Sequence, residues 1–510
     1  MYHLIYPQKT QTFFTNRVVE LEILESYKRR LLQGEANKIA FIGTRRIGKS
    51  TILYEFTKRQ ASVRRLSVVY LNLQRLVMEP LSFARSYIGI TAKWVSKDKA
   101  DNFASYEDPE FCLLRLQKMS PAAAEYFYEF IKLTRNRDLP LKSIVEQALH
   151  FPAVLSRQMD IPIIFMIDEF QEITMLKNFK QLPEILGFMR DIMQTHLRIL
   201  YVFAGSYIRL MQDIIEKPGS AFFGQINPYY LNRFSKQDSL SLLKKIITQF
   251  QIDLPPAAGE KMAELSSGHP FYIELLANAA HEAVRVDAIP LTPENIEKIL
   301  LLQLLNEKST MSFHLRYIYE DAIGRARGST ILNGILKVLA LDSPLTITEI
   351  ANKLSRKVGL VQSGLQQLMS VDLVNRDRKK YYVADSLLRL WIYFKFYHPE
   401  GAFSLKDTIV QELFEHFREK YLQTSVALGR AKEFELYYYV SKMQGKVVSG
   451  VRLPKFQKII KNYVLPNGDE IDLFARNKES WVFELKWKNK LIGMKELQKL
   501  QAKIEVQRYV

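Results

Sequence analysis

The sequence predicts an α/β fold, with a parallel sheet covered by helices, then a helical lid, a winged-helix domain and a smaller C-terminal α/β domain. Three observations predict it. Short apolar runs that end in glycine or a carboxylate alternate with helical patterns, as parallel strands buried on both faces do. From Ser235 to about 305 the pattern is helical throughout. The tail ends strand, turn, strand, helix.

Taken in order, KIAFIG at 38–43 is a short apolar run that ends at glycine, and SVVYLNL at 67–73 reads as a second strand. IPIIFMIDEF at 161–170 is the strongest strand signal, an unbroken apolar run closed by carboxylates. RILYVFAGS at 198–206 has the same character, and NPYYLNRF at 227–234 is a weaker fifth candidate. A long helical insertion, roughly 75–158, separates the second strand from the third. These elements bound a first domain at 1–234, a lid at 235–305, a connector with the winged helix at 306–395, and a last domain at 396–510. Residues 306–328 read as a polar connector. Neither a low-complexity tract nor a repeat of solenoid period is evident.

Composition bounds the function. At 510 residues the chain exceeds one compact core, and 47% hydrophobic with 25% charged residues is a globular balance. Cys112 is the single cysteine, which excludes an intrachain disulfide and a cysteine-based zinc site. No apolar run is long enough to span a bilayer, and the N-terminus lacks the pattern of a signal peptide. The expectation is a cytoplasmic protein with no membrane partner. A formal charge of +18 suits a polyanionic partner or an acidic protein, or simply a solubilising surface.

Gly43-Thr44-Arg45-Arg46-Ile47-Gly48-Lys49-Ser50 fits Gly-x-x-x-x-Gly-Lys-Ser/Thr. Glycines let the backbone curl so that successive N–H groups point at phosphate oxygens. Lys49 supplies a point charge for the β and γ phosphates, and Ser50 offers a hydroxyl to magnesium. The helix that continues through Thr51 turns its positive end to the anion. Asp168, at the end of the third strand, is expected to hold the magnesium ion, and Glu169 to polarise the attacking water. Ser206 ends the next strand, where a polar residue can sense the γ phosphate. ATP and Mg2+ are therefore the expected ligands of a P-loop NTPase sheet.

Further on, TEIANKL and VGLVQSGLQQLMSV read as two helices, and Val374 to Ala384 as a hairpin wing with Arg376, Arg378, Lys379 and Lys380 at its tip. A recognition helix enters the major groove while a basic wing contacts phosphate, so DNA is the expected partner. The helix offers Gln362, Ser363, Gln366 and Gln367 but no arginine, which favours shape and phosphate contacts over tight sequence readout. The same fold also serves as a protein-packing spacer.

At the C-terminus, Asp472 lies on one expected strand (468–475) and Glu484 and Lys486 on the next (481–486). Alternation puts Glu484 and Lys486 on one face. Upstream, Glu433 and Glu435 lie on a helical run. Helical Glu, strand Asp, then Glu-x-Lys resembles the PD-(D/E)xK nuclease pattern. There the carboxylates hold magnesium on the scissile phosphate and the lysine activates water. Lys455, Lys458, Lys461, Lys486, Lys488 and Lys490 crowd the region, as suits a polyanion channel. A surface hairpin with a salt bridge would read the same way.

The whole chain resembles the archaeal-type ATPases of the STAND branch of the AAA+ superfamily. Phe14-Thr15-Asn16-Arg17-Val18-Val19-Glu20-Leu21 matches the family's Phe-x-x-Arg-x-x-Glu-Leu segment, and Gly268-His269-Pro270-Phe271-Tyr272 its Gly-x-Pro lid element. The resemblance implies that Arg17 lies against the adenine and that His269 and Pro270 close over the nucleotide. It also implies a nuclease-like last domain with Glu435, Asp472 and Glu484 on metal; Glu435 is preferred over Glu433 because Phe434-Glu435 has the family's form. The family's arginine after the fourth strand is replaced in Phe223-Gly224-Gln225, which implies slow hydrolysis unless Arg209 or Arg233 substitutes. The reading is a DNA-associated ATP switch that gates a nuclease. Its rival is a signalling or transcription-regulating ATPase whose last domain only binds. The sequence leaves a homo-oligomer open.

Overall fold

The computed structural model describes residues 8–510 except 62, 64, 98–101, 136–137, 327–329, 398–411, 422–435, 437–438, 442, 449–450, 466–468, 478, 485–493 and 506–510. The chain divides into two compact units, Met1–Asp253 with Ser267–Ala277, and Leu254–Ser266 with Asn278–Val510.

The first unit is built on a five-stranded sheet: β1 (Lys38–Ile42), β2 (Ser67–Asn72), β3 (Ile163–Asp168), β4 (Ile199–Gly205) and β5 (Asn227–Tyr230). The order is β2-β3-β4-β1-β5 and every pairing is parallel. Period-two alternation sends side chains to two separate cores. Ala40, Ile42, Val69, Leu71, Phe165, Ile167, Tyr201 and Phe203 face one. Ile39, Phe41, Val68, Ile164, Met166, Leu200 and Val202 face the other, with Leu24, Ile52, Leu53 and Phe56 from covering helices. Burial on both faces is why these strands read as unbroken apolar runs.

The insertion is helical as expected, over Pro80–Ser96, Pro109–Met119, Pro121–Thr134 and Leu141–Gln158. The first three start with proline just inside a side-chain cap, from Glu79, Asp108 and Ser120 in turn. Their apolar faces belong to the first core, where Tyr87 stacks on Phe165 at 5.2 Å. Trp94 donates its indole N–H to the Tyr70 carbonyl at 2.9 Å, which ties the insertion to β2.

The stretch after β5 is helical, over Lys236–Phe250, Pro256–Leu265, Pro270–Asp287 and Pro293–Leu305. The expected polar connector is instead a helix, Thr310–Arg325, capped by the Ser309 hydroxyl. Its inward stripe mixes Met311, Leu315, Tyr319 and Ala322 with buried Ser312 and His314. That mixture conceals the helical period when only apolar residues are counted.

In the second unit β6 (Leu345–Thr346), β7 (Val374–Asp377) and β8 (Lys380–Val383) form an antiparallel sheet in the order β6-β8-β7. The helices Thr330–Leu341, Ile347–Leu354 and Val358–Ser370 lie with it. Thr346 and Glu349 close a reciprocal capping box on the second of these. Further on, β9 (Val447–Val448) pairs with β10 (Val451–Arg452). Then β11 (Lys458–Val464), β12 (Glu470–Arg476) and β13 (Ser480–Phe483) form an antiparallel meander, followed by a helix at Met494–Glu505. The sequence reading anticipated β12, β13 and that helix but not β11. Among the described residues no helix is long and apolar enough to cross a membrane.

Candidate functional site

In a parallel sheet the carboxyl ends of the strands present loops to a ligand, and here the ends of β1, β2, β3 and β4 carry the expected site. β1 runs into Gly43, and the loop through Gly48 feeds the helix Lys49–Gln60. Gly48 precedes that helix with φ +108°, a conformation L side chains rarely adopt, and no side chain caps the helix start. The first N–H groups of the helix are thus left for an anion.

Lys49 is buried, and its ammonium donates to the carbonyls of Gly43 at 2.8 Å and Thr44 at 3.0 Å. Burial lowers its pKa, Glu169 and Asp168 oppose that, and the positive field of Arg45 adds to the lowering. Thr51 sits half-buried in the first turn and Ile47 is buried.

Asp168 is fully buried at the end of β3. Its Oδ2 accepts from Ser50 Oγ at 2.5 Å, Tyr70 Oη at 2.6 Å and Asn72 Nδ2 at 3.4 Å, and its Oδ1 accepts from the Glu169 N–H at 3.0 Å. Burial raises the carboxyl's pKa and Glu169 adds to that, while the bonds from Ser50 and Tyr70 and the charge of Lys49 pull it down. The Ser50 hydroxyl beside a carboxylate is an oxygen donor set that fits magnesium. Nearby, Asn72 Oδ1 and Gln171 Oε1 are buried acceptors without a hydrogen-bond partner among the described residues, as acceptors for metal-bound water would be.

Glu169 follows in a left-handed turn with φ 52°. Its Oε2 accepts from Gln171 Nε2 at 2.6 Å, from Ser206 Oγ at 2.6 Å and from the Ser206 N–H at 3.3 Å. The expected water-polarising carboxylate and the expected γ-phosphate sensor are therefore hydrogen-bonded to each other.

Arg17 lies against the phosphate loop. It is buried, and Nη2 donates to the carbonyls of Ile47 at 2.8 Å and Asn232 at 3.0 Å, while Nη1 pairs with Glu20 at 3.2 Å. The guanidinium lies 4.8 Å from the centre of the Phe234 ring. Burial lowers its pKa against the opposing pull of Glu20. These bonds fasten the phosphate loop to the strand end after β5.

The Gly268-His269-Pro270 element also meets the loop. Gly268 has φ +70°, and a Cβ there would come within 2.2 Å of the Phe234 carbonyl, so only glycine fits. Phe234 N–H donates to the Gly268 carbonyl at 2.8 Å. His269 Nε2 is 3.1 Å from the Arg45 carbonyl, Pro270 opens the helix that follows, and Arg46 lies 3.9 Å over the Phe271 ring. Arg45 turns the other way, donating from Nη2 to the Tyr207 hydroxyl at 2.7 Å.

No family model matches the chain, and no curated protein matches it. Solved structures do. The chain is similar to the Walker-type ATPase of Pyrococcus abyssi, with 17% identity and a TM-score of 0.47 over 74% of this chain and 96% of that one. It is similar to the ORC2 protein of Aeropyrum pernix, described as ADPNP-ADP complexes, with 14% identity and a TM-score of 0.47 over 81% and 97%. It is similar to the RuvB Holliday junction branch migration motor of Thermotoga maritima, with 13% identity and a TM-score of 0.35 over 76% and 97%. The likeness is distant, so the fold rests on this chain's own sheet order and loop.

The segment read from sequence as a winged helix exposes the side chains assigned to it. Val361, Leu365 and Leu368 turn inward, while Gln362, Ser363, Gln366 and Gln367 face solvent. Arg376, Arg378, Lys379 and Lys380 are exposed around the β7–β8 turn. In the C-terminal sheet Leu473 is opposite Phe483; Asp472 precedes Leu473 on β12 and Glu484 follows the end of β13, both half-buried. Glu435 and Lys486 lie outside the described residues. Among the described residues no group of three or more His, Cys, Asp or Glu is placed to hold a metal ion.

Tyr70, Asn72, Gln171 and Tyr207 escaped the sequence reading. Asn72 had a signal, since it ends the strand that pairs with β3 and is in register with Asp168. Polar residues at the carboxyl end of a neighbouring parallel strand point to the same ligand crevice.

Proposed function

We propose that the chain is an ATP-binding switch protein that hydrolyses ATP slowly and associates with DNA. The observation that carries this reading is the convergence of Lys49, Ser50, Asp168 and Glu169 at the carboxyl ends of β1 and β3, with Ser50 and Asp168 in direct contact. Backbone N–H groups of residues 43–50 bind the β and γ phosphates, and Lys49 exchanges its loop carbonyls for phosphate oxygen. Ser50 and Asp168 would hold magnesium, which when bound neutralises phosphate charge. Glu169 takes the proton of the attacking water. Slow turnover follows from two features. Gln225, at the place of the family's arginine, pairs with Gln194 at 3.1 Å. Glu169 Oε2 already accepts from Gln171 and Ser206, bonds with which the attacking water has to compete.

The DNA contact is assigned to the exposed polar face of Val358–Ser370 and the basic wing. Within this reading the last domain is a metal-dependent nuclease, with Glu435, Asp472 and Glu484 on metal and Lys486 on the water. The supporting observation is that Asp472 precedes Leu473 and Glu484 follows Phe483, the pair at the end of the β12–β13 register.

The test is nucleotide binding, ATP hydrolysis and plasmid cleavage by the full chain with magnesium or manganese, beside Lys49→Ala, Glu484→Ala and Lys486→Ala. Loss of nucleotide binding in Lys49→Ala and loss of nicking in Glu484→Ala are the expected results. Unchanged nucleotide binding in Lys49→Ala sinks the ATP reading. Retained cleavage in Glu484→Ala and Lys486→Ala removes this site as the cutter. Nucleotide binding without cleavage in any condition assigns the last domain to binding alone, as in a regulatory ATPase.

A further inference from the structure

We infer that Arg45, inside the phosphate loop itself, is a cation that stabilises the transferring γ-phosphoryl group and so replaces in part the arginine missing at Gln225. The inference rests on the ATP reading above and goes beyond it by naming a catalytic residue that neither motif spacing nor resemblance assigns.

The position of the side chain is the first argument. Arg45 Nη2 donates to the Tyr207 hydroxyl at 2.7 Å, and the guanidinium lies 5.0 Å from the Tyr207 ring centre. Tyr207 directly follows Ser206, whose hydroxyl is 2.6 Å from Glu169 Oε2. The guanidinium is thus tied to the side chain that follows Ser206, the partner of the water-activating carboxylate. Two other arginines at the loop face different groups, Arg17 the Ile47 and Asn232 carbonyls and Arg46 the Phe271 ring.

Electrostatics is the second. Arg45 and Lys49 are two cations of one eight-residue loop, Gly43–Ser50. Two cations held around one small volume repel each other, and an anion between them turns that repulsion into attraction. The terminal phosphate of ATP is such an anion, and its equatorial oxygens carry the spread charge of the transition state. Arginine suits the task because it stays protonated and presents a planar fork of donors.

In the reaction the oxygen of water attacks the γ phosphorus and its proton passes to Glu169. The bond from that phosphorus to the β–γ bridging oxygen breaks, and its electron pair leaves with ADP. Arg45 contributes charge and hydrogen bonds to the γ oxygens and transfers no proton. Tyr207 is a positioning residue that aims the guanidinium.

The test uses the full chain with a fluorescent ADP analogue for binding, steady-state ATP hydrolysis, and trapping of ADP with aluminium fluoride. Arg45→Ala is expected to lower kcat by about a hundred- to a thousandfold. It should leave ADP affinity within a few-fold and abolish the aluminium fluoride complex. Arg45→Lys should recover part of the rate, and Tyr207→Phe should lower kcat without raising KM. A kcat of Arg45→Ala near that of the wild type overturns the inference, and so does wild-type protein that binds ATP without hydrolysing it. Loss of ADP binding in Arg45→Ala equal to its loss of rate also overturns it, since the residue would then only bind. If Lys49→Ala leaves nucleotide binding intact, the ATP reading itself fails, which is a separate outcome.

Discussion

Removing one hydroxyl tests whether the buried carboxylate at the heart of the site is held as an anion. In Tyr70→Phe the donor 2.6 Å from Asp168 Oδ2 disappears, while Ser50 and Asn72 remain. A hydrogen bond to a charged group contributes about 1.5–3 kcal/mol. The tyrosine hydroxyl no longer has to leave water, which returns part of that, so a loss of about 2 kcal/mol in unfolding free energy is expected. The 3.5 Å contact to the Tyr54 hydroxyl is too long to change this. The assay is urea unfolding at neutral pH without nucleotide, run as a double-mutant cycle with Asp168→Asn. Because the donor acts on a charge, the loss should shrink by about half once the carboxylate is an amide, giving a coupling of about 1 kcal/mol. Saturating magnesium-ATP should also shrink it, since the cation then balances Asp168. A loss below about 0.5 kcal/mol, or an equal loss in both backgrounds, would refute the reasoning.

Gly48→Ala forces an L side chain into φ +108°, at a cost of about 1–3 kcal/mol, so calorimetry should find a lower unfolding temperature and weaker ATP binding. Burial, with help from His150 and Lys38, holds the His196 imidazole down at about 3 against its ordinary 6.5. The unfolded chain then takes up a proton that the fold refuses, so stability is complete above 6.5 and is lost toward 3 by about 1.4 kcal/mol per pH unit. Urea midpoints at about pH 7 and pH 5 should diverge less in His196→Gln than in the wild type; equal divergence would remove His196 as the cause. For DNA, each alanine at Arg376, Arg378 or Lys379 should flatten the slope of log affinity against log salt by about one. Fluorescence anisotropy over a salt series reads that slope, and an unchanged slope in the triple variant would dissociate the wing from DNA.

The parts legible in the sequence are those where one physical requirement dominates. β3 and β4 are buried on both faces, so their apolar runs admit few other readings. The phosphate loop needs glycine, lysine and serine at fixed spacing, and those residues stand at the end of β1 with Asp168 opposite Ser50. The helix Thr310–Arg325 was missed because its buried stripe mixes hydroxyl and imidazole with apolar groups. β11 was missed because Lys458, exposed at its start, and Asn462 dilute an apolar run that the meander only half buries. Tyr70 escapes a local reading because its hydroxyl matters through Asp168, 98 positions along the chain.

The same distinction separates a motif from a mechanism. Motif spacing names Lys49, Ser50, Asp168, Glu169 and Ser206 as ligand groups, yet each also has a partner within the protein. Lys49 is on its own loop carbonyls, Ser50 on Asp168, and Ser206 on Glu169. ATP must therefore exchange hydrogen bonds rather than add them, and its net affinity is the difference between two sets of similar strength. The groups that gain most are those with mutual repulsion or unpartnered acceptors: Arg45, though already on Tyr207, against Lys49, and the buried oxygens of Asn72 and Gln171. On this argument discrimination between ATP and ADP arises at Arg45 and at the water shell near Asn72 and Gln171 more than at Lys49. None of these three is fixed in type by the loop motif, which is where a switch protein can tune its response while the loop itself stays recognisable.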